Sequence, residues 1–192
     1  MRSINGELAK LIPEPKYKLN TVGFFGSAGA GAVPVTTTIY DINNTDTQLE
    51  IRSMVSARAG VQINSGNAGI GKGIQEIMFP MKKTGTPPNT FRYEVYNSAG
   101  VLQDQTETKT ADSLTTSFVN TVLTLTGIHT VAIDDRIVVT YDDGGISNKI
   151  LLSEDNSVGS IPTNTKHTAY DGTWTESTAQ WTNGKFDNSP TE

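Results

Sequence analysis

The chain contains no cysteine. That absence excludes disulfide staples, Cys-ligated zinc and thiol nucleophiles together, and it leaves the redox compartment open. Histidine is nearly absent too, with His129 and His167 the only two. Neither belongs to a His-x-x-His or HExxH spacing, so a zinc site has no signature, and both read as surface or turn residues. No GxSxG elbow exists to seat a serine nucleophile. Long apolar runs are also missing: nothing approaches the roughly 18 residues of a membrane-spanning helix, and no membrane insertion is expected. Basic clusters go no further than Lys82-Lys83 and the Arg52/Arg58 pair. With a net charge of −5 and a pI near 5.0, no nucleic-acid partner is expected.

What is present is β-forming. Apolar residues make up 35% and charged residues only 18% of the 192 positions, and Thr, Ser, Asn and Gly fill the difference. This is the composition of strands joined by short polar turns. A chain of this length buries about 70% of its unfolded surface, enough for a core without staples. The opening MRSINGELAKLIPEPK has no apolar run of signal-peptide length. Read as it stands, the protein is made in the cytoplasm without a signal peptide, yet its composition suits a surface module. A virion or extracellular assembly released by lysis reconciles the two, and a chain already trimmed of its signal does so equally well.

Residues 1–15 set Ile4, Leu8, Leu11 and Ile12 on one helical face before Pro13 and Pro15 stop the pattern. Either an arm that reaches a neighbouring copy or a short helix folded back on its own domain fits. Residues 16–186 are expected to form a single β-sandwich domain, with 187–192 as a fraying tail. Strand patterns recur at 16–25, 35–42, 48–57, 74–83 and 91–96, with Leu49 and Ile51 turned inward in the third. In FRYEVYNSAGVLQD, Phe91, Tyr93 and Val95 face one way and Arg92, Glu94 and Tyr96 the other, around an NSAG turn. The strand at 118–126 has two possible inward sets, Val119, Thr121, Leu123 and Leu125, or Phe118 and Val122. Ile137, Val139 and Tyr141 form the clearest inward row, and the dense Ile137-Val138-Val139 run predicts a strand covered on both faces. About eight to ten strands and no helix of ordinary length point to an all-β, antiparallel double sheet.

Two glycine-rich segments, 26–32 and 59–73, invite comparison with phosphate-cradling loops. Gly66 to Lys72 has the spacing GxxxxGK, but Gly73 stands where a magnesium-binding hydroxyl is needed. The apolar β-type run that follows offers no helix N-terminus to a phosphate. Both segments read as loops at a sheet edge or a subunit contact.

Residues 89–181 resemble a jelly-roll-like β-sandwich module found in surface and adhesion proteins of environmental microbes and in phage structural proteins. The likeness rests on TFRYEVYNSAGVL, ADSLTTSFVNTVLTLTG, VAIDDRIVVTYDDGGISNKI and YDGTWTESTAQ. Such modules usually carry Gly-Asp where this chain has Asp134-Asp135, so the turn before Ile137 differs. The resemblance implies a display or binding role, often grouped with carbohydrate-binding domains.

Two binding chemistries can be assigned residues. Tyr96, Tyr170, Trp174 and Trp181 are candidates for a glycan platform, because the C–H faces of sugars stack on aromatic rings; the competing reading makes the tryptophans core or interface anchors. Asp134, Asp135, Asp142 and Asp143 lie at strand ends, where clustered carboxylates can hold calcium, although Asp-Asp-Gly-Gly is first a turn sequence. Glu154-Asp155 is counted among the same strand-end carboxylates. No catalytic residue can be named, and no enzymatic activity is expected. The leading expectation is a structural subunit that self-associates in a virion surface, capsid, fibre or filament, with copies of itself as partners. The alternative is a displayed carbohydrate-binding or adhesion module whose partners are surface glycans.

Overall fold

A computed structural model describes residues 37–42, 47–51, 57–155, 164–178, 181–182 and 184–188. All of them belong to one compact unit, Thr36–Glu192. The expected arm with Ile4, Leu8, Leu11 and Ile12, the strand at 16–25 and the glycine segment 26–32 lie outside the described residues.

The described residues form fourteen strands: β1 Thr37–Ile42, β2 Thr47–Ile51, β3 Arg58–Ile63, β4 Gly73–Thr84, β5 Thr90–Tyr96, β6 Leu102–Gln105, β7 Lys109–Thr110, β8 Val119–Thr130, β9 Arg136–Thr140, β10 Lys149–Asp155, β11 Thr165–Tyr170, β12 Trp174–Ser177, β13 Trp181–Thr182 and β14 Gly184–Asn188. The only described helix is a single 3-10 turn, Ala111–Ser113. The strand count exceeds the expected eight to ten because two-residue pairings such as β7 and β13 leave no periodic signal. No described helix is long and apolar enough to cross a membrane.

The fold is an all-β sandwich of two antiparallel sheets. Sheet 1 runs β1-β14-β4-β10-β13, with β2 on β10 and β8 on β4. Sheet 2 runs β12-β11-β3-β9-β5-β6, with β7 beside β5. Alternation along each strand fills the space between them. Phe91, Tyr93 and Val95 of β5, Val61 and Ile63 of β3, and Ile137 and Val139 of β9 project inward from sheet 2. They meet Ile77, Phe79 and Met81 of β4, Ile150 and Leu152 of β10, and Phe186 of β14. Phe79 sits edge-on to Tyr93 at 5.2 Å and to Phe186 at 5.6 Å, an arrangement favoured by the ring quadrupoles. The Tyr93 hydroxyl donates to the Thr121 carbonyl at 2.8 Å and so ties the sheets together. Each of these large side chains contributes about 1.5–3 kcal/mol through burial, which makes this layer the main source of stability.

In β8 the inward set is Thr121, Leu123 and Leu125; Val119 and Val122 are exposed. The GxxxxGK segment is a series of turns between β3 and β4, with Asn67 Oδ1 accepting from Gly69 N at 2.8 Å, and it leads into a strand. β14 extends to Asn188, two residues into the segment expected to fray.

Candidate ligand-binding face

The other face of sheet 2 points away from the core, and its composition follows from register. Arg58, Gly60 and Gln62 of β3 stand opposite Thr140, Val138 and Arg136 of β9. Those three in turn stand opposite Arg92, Glu94 and Tyr96 of β5. On the far side of β3, Gln62, Gly60 and Arg58 pair with Lys166, Thr168 and Tyr170 of β11. Trp174 and Glu176 of β12 extend the rows next to Tyr170 and Thr168. All five residues of β9 are buried, as its double-sided apolar run predicted. Long polar and aromatic side chains lie over this face where a second sheet would lie in a larger sandwich. Gly60 permits the centre to be tight, since a Cβ there would overlap the Ile137 carbonyl oxygen of the adjacent strand.

Three of the four predicted aromatic residues come together here. The Trp174 ring centroid is 5.4 Å from that of Tyr96 and 4.9 Å from that of Tyr170. The Arg58 guanidinium lies 5.4 Å from the Tyr96 centroid and 4.8 Å from that of Tyr170. Arg136 lies 5.0 Å from the Trp174 centroid. Such cation–π contacts hold rings in fixed orientations. Arg58, Tyr96, Ala99, Gly100, Tyr170 and Trp174 line a pocket of about 330 Å³, at the lower end of the usual range for ligand pockets. Ala99 and Gly100 come from the β5–β6 turn, where Asn97 Oδ1 accepts from Ala99 N at 3.0 Å and Val101 N at 2.9 Å. Gly100 has φ 76°, and a Cβ there would lie 3.1 Å from Trp174 Nε1. Only glycine gives both the left-handed turn and the space for the indole.

Beneath the rings lies Glu94, 1% exposed. Arg92 donates from Nε to Glu94 Oε1 at 2.6 Å, and its Nη2 makes an ion-pair contact with the same oxygen at 2.5 Å. Tyr96 donates its hydroxyl to Oε2 at 2.6 Å, Thr140 donates to the same oxygen, and Arg58 Nε is 3.4 Å away. Burial pushes the carboxyl up, but the hydrogen bonds from Thr140 and Tyr96 and the Arg92 guanidinium outweigh it and hold Glu94 below its ordinary value. The Tyr96 phenol is pushed up to about 12, first by burial and then by the hydrogen bond to Glu94 and that group's charge. Arg136 is committed elsewhere: Nη1 donates to the carbonyls of Asn97 and Ser98 at 3.2 Å each, and Nη2 to Glu176 at 2.8 Å. The ionised carboxylate therefore fixes Tyr96 from below, while Arg136 joins the turn to Trp174.

The aspartates and the backbone of Trp181 lie elsewhere. Trp181 is in β13, which pairs with β10 in sheet 1, so its backbone belongs to the other sheet. The four aspartates do not form one site, because Asp134 and Asp135 precede β9 and Asp142 and Asp143 follow it, at opposite ends of the strand. Asp135 is occupied by Ala132 N at 2.7 Å and His129 Nε2 at 2.8 Å, Asp134 accepts from Gln62 at 3.2 Å, and Asp143 accepts from Asn89. These are turn-forming contacts, and among the described residues no three His, Cys, Asp or Glu groups are close enough to hold a metal.

His167 is a correction. It was expected at the surface but is 5% exposed, because β11 alternation turns it inward opposite Val61. Glu154 lies at the strand end where it was expected, next to last in β10, but is 2% exposed. His167 Nδ1 lies 3.0 Å from Glu154 Oε1 and 3.1 Å from Thr182 Oγ1. The carboxylate oxygen is near the ring nitrogen but not aligned to accept a hydrogen bond from it. Burial pushes Glu154 up to about 7 and His167 down to about 4. Both contacts use the same ring nitrogen, so no proton relay runs through the imidazole from acid to hydroxyl.

Sequence reasoning missed Arg58, Arg136, Glu94 and Gly100. The alternation Arg92-x-Glu94-x-Tyr96 was legible, but the register that sets it against Arg58 and Arg136 was not. In comparisons with known proteins, no family matches the chain, and neither a curated protein nor a solved structure matches it.

Proposed function

We propose that this chain is a non-enzymatic, jelly-roll-like β-sandwich module that binds a carbohydrate on the outer face of sheet 2. The observation that carries this reading is the Tyr96, Tyr170 and Trp174 cluster, whose rings border one open pocket while a committed carboxylate and two arginines hold them from below and behind. Rings fixed in this way can stack on sugar C–H faces at little entropic cost. Trp174 is half-buried, so the competing view of it as a core anchor has less support. Its indole N–H and the Tyr170 hydroxyl have no hydrogen-bond partner among the described residues, so both can serve a ligand. A glycan array probed with the wild-type chain and with Trp174→Ala and Tyr170→Ala tests this reading. Retention by wild type and loss in both variants is expected; a wild-type chain that retains no glycan contradicts it.

Display on a virion or extracellular assembly is compatible with this function, and self-association is a second reading supported by β8. Among the described residues that 12-residue strand has β4 as its one strand neighbour, its other edge meeting just an isolated bridge from Leu125 to Thr106 and the Asp104 carboxylate, and it exposes Val122 and Ile128. A long edge strand with exposed apolar side chains is a template for pairing with another copy. Light scattering should then detect oligomers that Val122→Lys weakens. Monomers at every concentration would count against assembly through this edge.

A further inference from the structure

The pocket's charge narrows the class of sugar, an inference that rests on the carbohydrate reading above. On the strands of sheet 2, the outward-facing charged side chains are Arg58, Arg92, Arg136 and Lys166 against Glu94 and Glu176. Four cations against two carboxylates leave a local excess of two positive charges on a chain whose net charge is −5. The cations are not equally available. Arg92 is held by Glu94 through two short contacts, and Arg136 is held by Glu176 and two carbonyls. Lys166 lies 3.7 Å from Glu176.

Arg58 differs from the others. It makes a long 3.4 Å contact from Nε to Glu94, a carboxylate already served by Arg92, Tyr96 and Thr140, and it also interacts with the Tyr96 hydroxyl. Its guanidinium lies against the Tyr96 and Tyr170 rings and lines the pocket, with the side chain 26% exposed. The guanidinium is a planar, always-charged fork set beside aromatic faces at the pocket, with no carboxylate paired to its Nη groups among the described residues. A fork of this geometry matches a carboxylate with two parallel N–H bonds. Neither Glu94 nor Glu176 needs it.

We propose that the pocket takes an acidic saccharide, with the Arg58 Nη groups holding the carboxylate of a uronic-acid residue while Trp174 and Tyr170 stack on the sugar ring. Neutral sugars satisfy the rings but leave the guanidinium edge to water.

The test uses uronate oligosaccharides, each paired with its carboxyl-reduced neutral form, titrated by microcalorimetry into the intact chain and into Arg58→Gln. The acidic member should bind about tenfold tighter than its neutral form, as a charge-assisted bidentate contact allows, and that ratio should fall toward one in Arg58→Gln and shrink with added salt. Circular dichroism and thermal melting of Arg58→Gln confirm that the fold persists, and Arg58→Lys, which keeps the charge without the fork, should recover only part of the ratio. A ratio near one in wild type, or a preference that survives in Arg58→Gln, overturns the acidic assignment and leaves the carbohydrate reading standing. Failure of both members of every pair to bind overturns both.

Discussion

Glu94 and Glu154 are both almost wholly buried, at 1% and 2% exposure, yet their carboxyls shift in opposite directions. Glu94 receives donors from Arg92, Tyr96 and Thr140 and is held below its ordinary value. Glu154 has the His167 ring nearby but no aligned donor at Oε1, and burial pushes it up to about 7. Donors, more than depth, decide whether a buried carboxylate keeps its charge. The consequence is a division of labour between the two sides of sheet 2. Its outer face holds a fixed negative charge that organises arginines and rings. The space between the sheets holds a pair that burial drives toward neutrality and that supports packing.

Removing Glu94 is the most damaging way to break this contrast. Glu94→Ala leaves Arg92, Tyr96 and Thr140 without their shared acceptor. A loss of about 3 kcal/mol in unfolding free energy is expected from chemical denaturation, discounted for the partial exposure of the arginines. Glycan retention should go with it, because Tyr96 loses the contact that fixes it.

The inter-sheet pair should show itself in the pH dependence of stability. Glu154 rises from 4.5 to about 7 on folding, so its contribution is complete below 4.5 and lost as pH climbs through 7. His167 falls from 6.5 to about 4, so its contribution is complete above 6.5 and lost as pH falls through 4. Between 4.5 and 6.5 the two slopes oppose each other, and this pair gives the wild-type chain almost no pH dependence there. In Glu154→Gln, stability should rise with pH across that window by up to about 1.4 kcal/mol per unit; in His167→Asn it should fall by a similar amount. Urea unfolding at half-unit pH steps separates the three curves.

Gly100→Ala gives the smallest of the three effects. A non-glycine residue at φ 76° costs about 1–2 kcal/mol, and the added Cβ presses on the Trp174 indole. Altered tryptophan fluorescence and weaker glycan retention should accompany a modest fall in the unfolding midpoint.

The fold was readable because alternation is local. Phe91, Tyr93 and Val95 announce their shared face within seven residues, and Ile137-Val138-Val139 announces a strand covered on both sides. The candidate site was half readable. Tyr96, Tyr170 and Trp174 stand out as aromatic residues on polar-flanked strands, but nothing local says they converge. That depends on β3 lying between β9 and β11, which brings Arg58 beside both tyrosines across |i−j| separations that a periodic pattern does not encode. Trp181, equal to Trp174 by composition, belongs to the other sheet because its two-residue strand pairs with β10. The aspartates looked like one acidic rim because turns collect acidic residues, yet β9 separates the two pairs. Glu154 sits at a strand end as expected, but its burial and that of His167 were not legible, because a polar residue there resembles turn chemistry until register turns it inward.

A carboxyl-carbon NMR titration of the glutamate side chains, assigned with Glu94→Gln and Glu154→Gln, tests the contrast most directly. The account expects the Glu94 signal to titrate below 4.5 and the Glu154 signal near 7. A Glu94 signal titrating at or above 4.5 would contradict it, because the carboxylate would then not be the fixed charge on which the aromatic and arginine face is built.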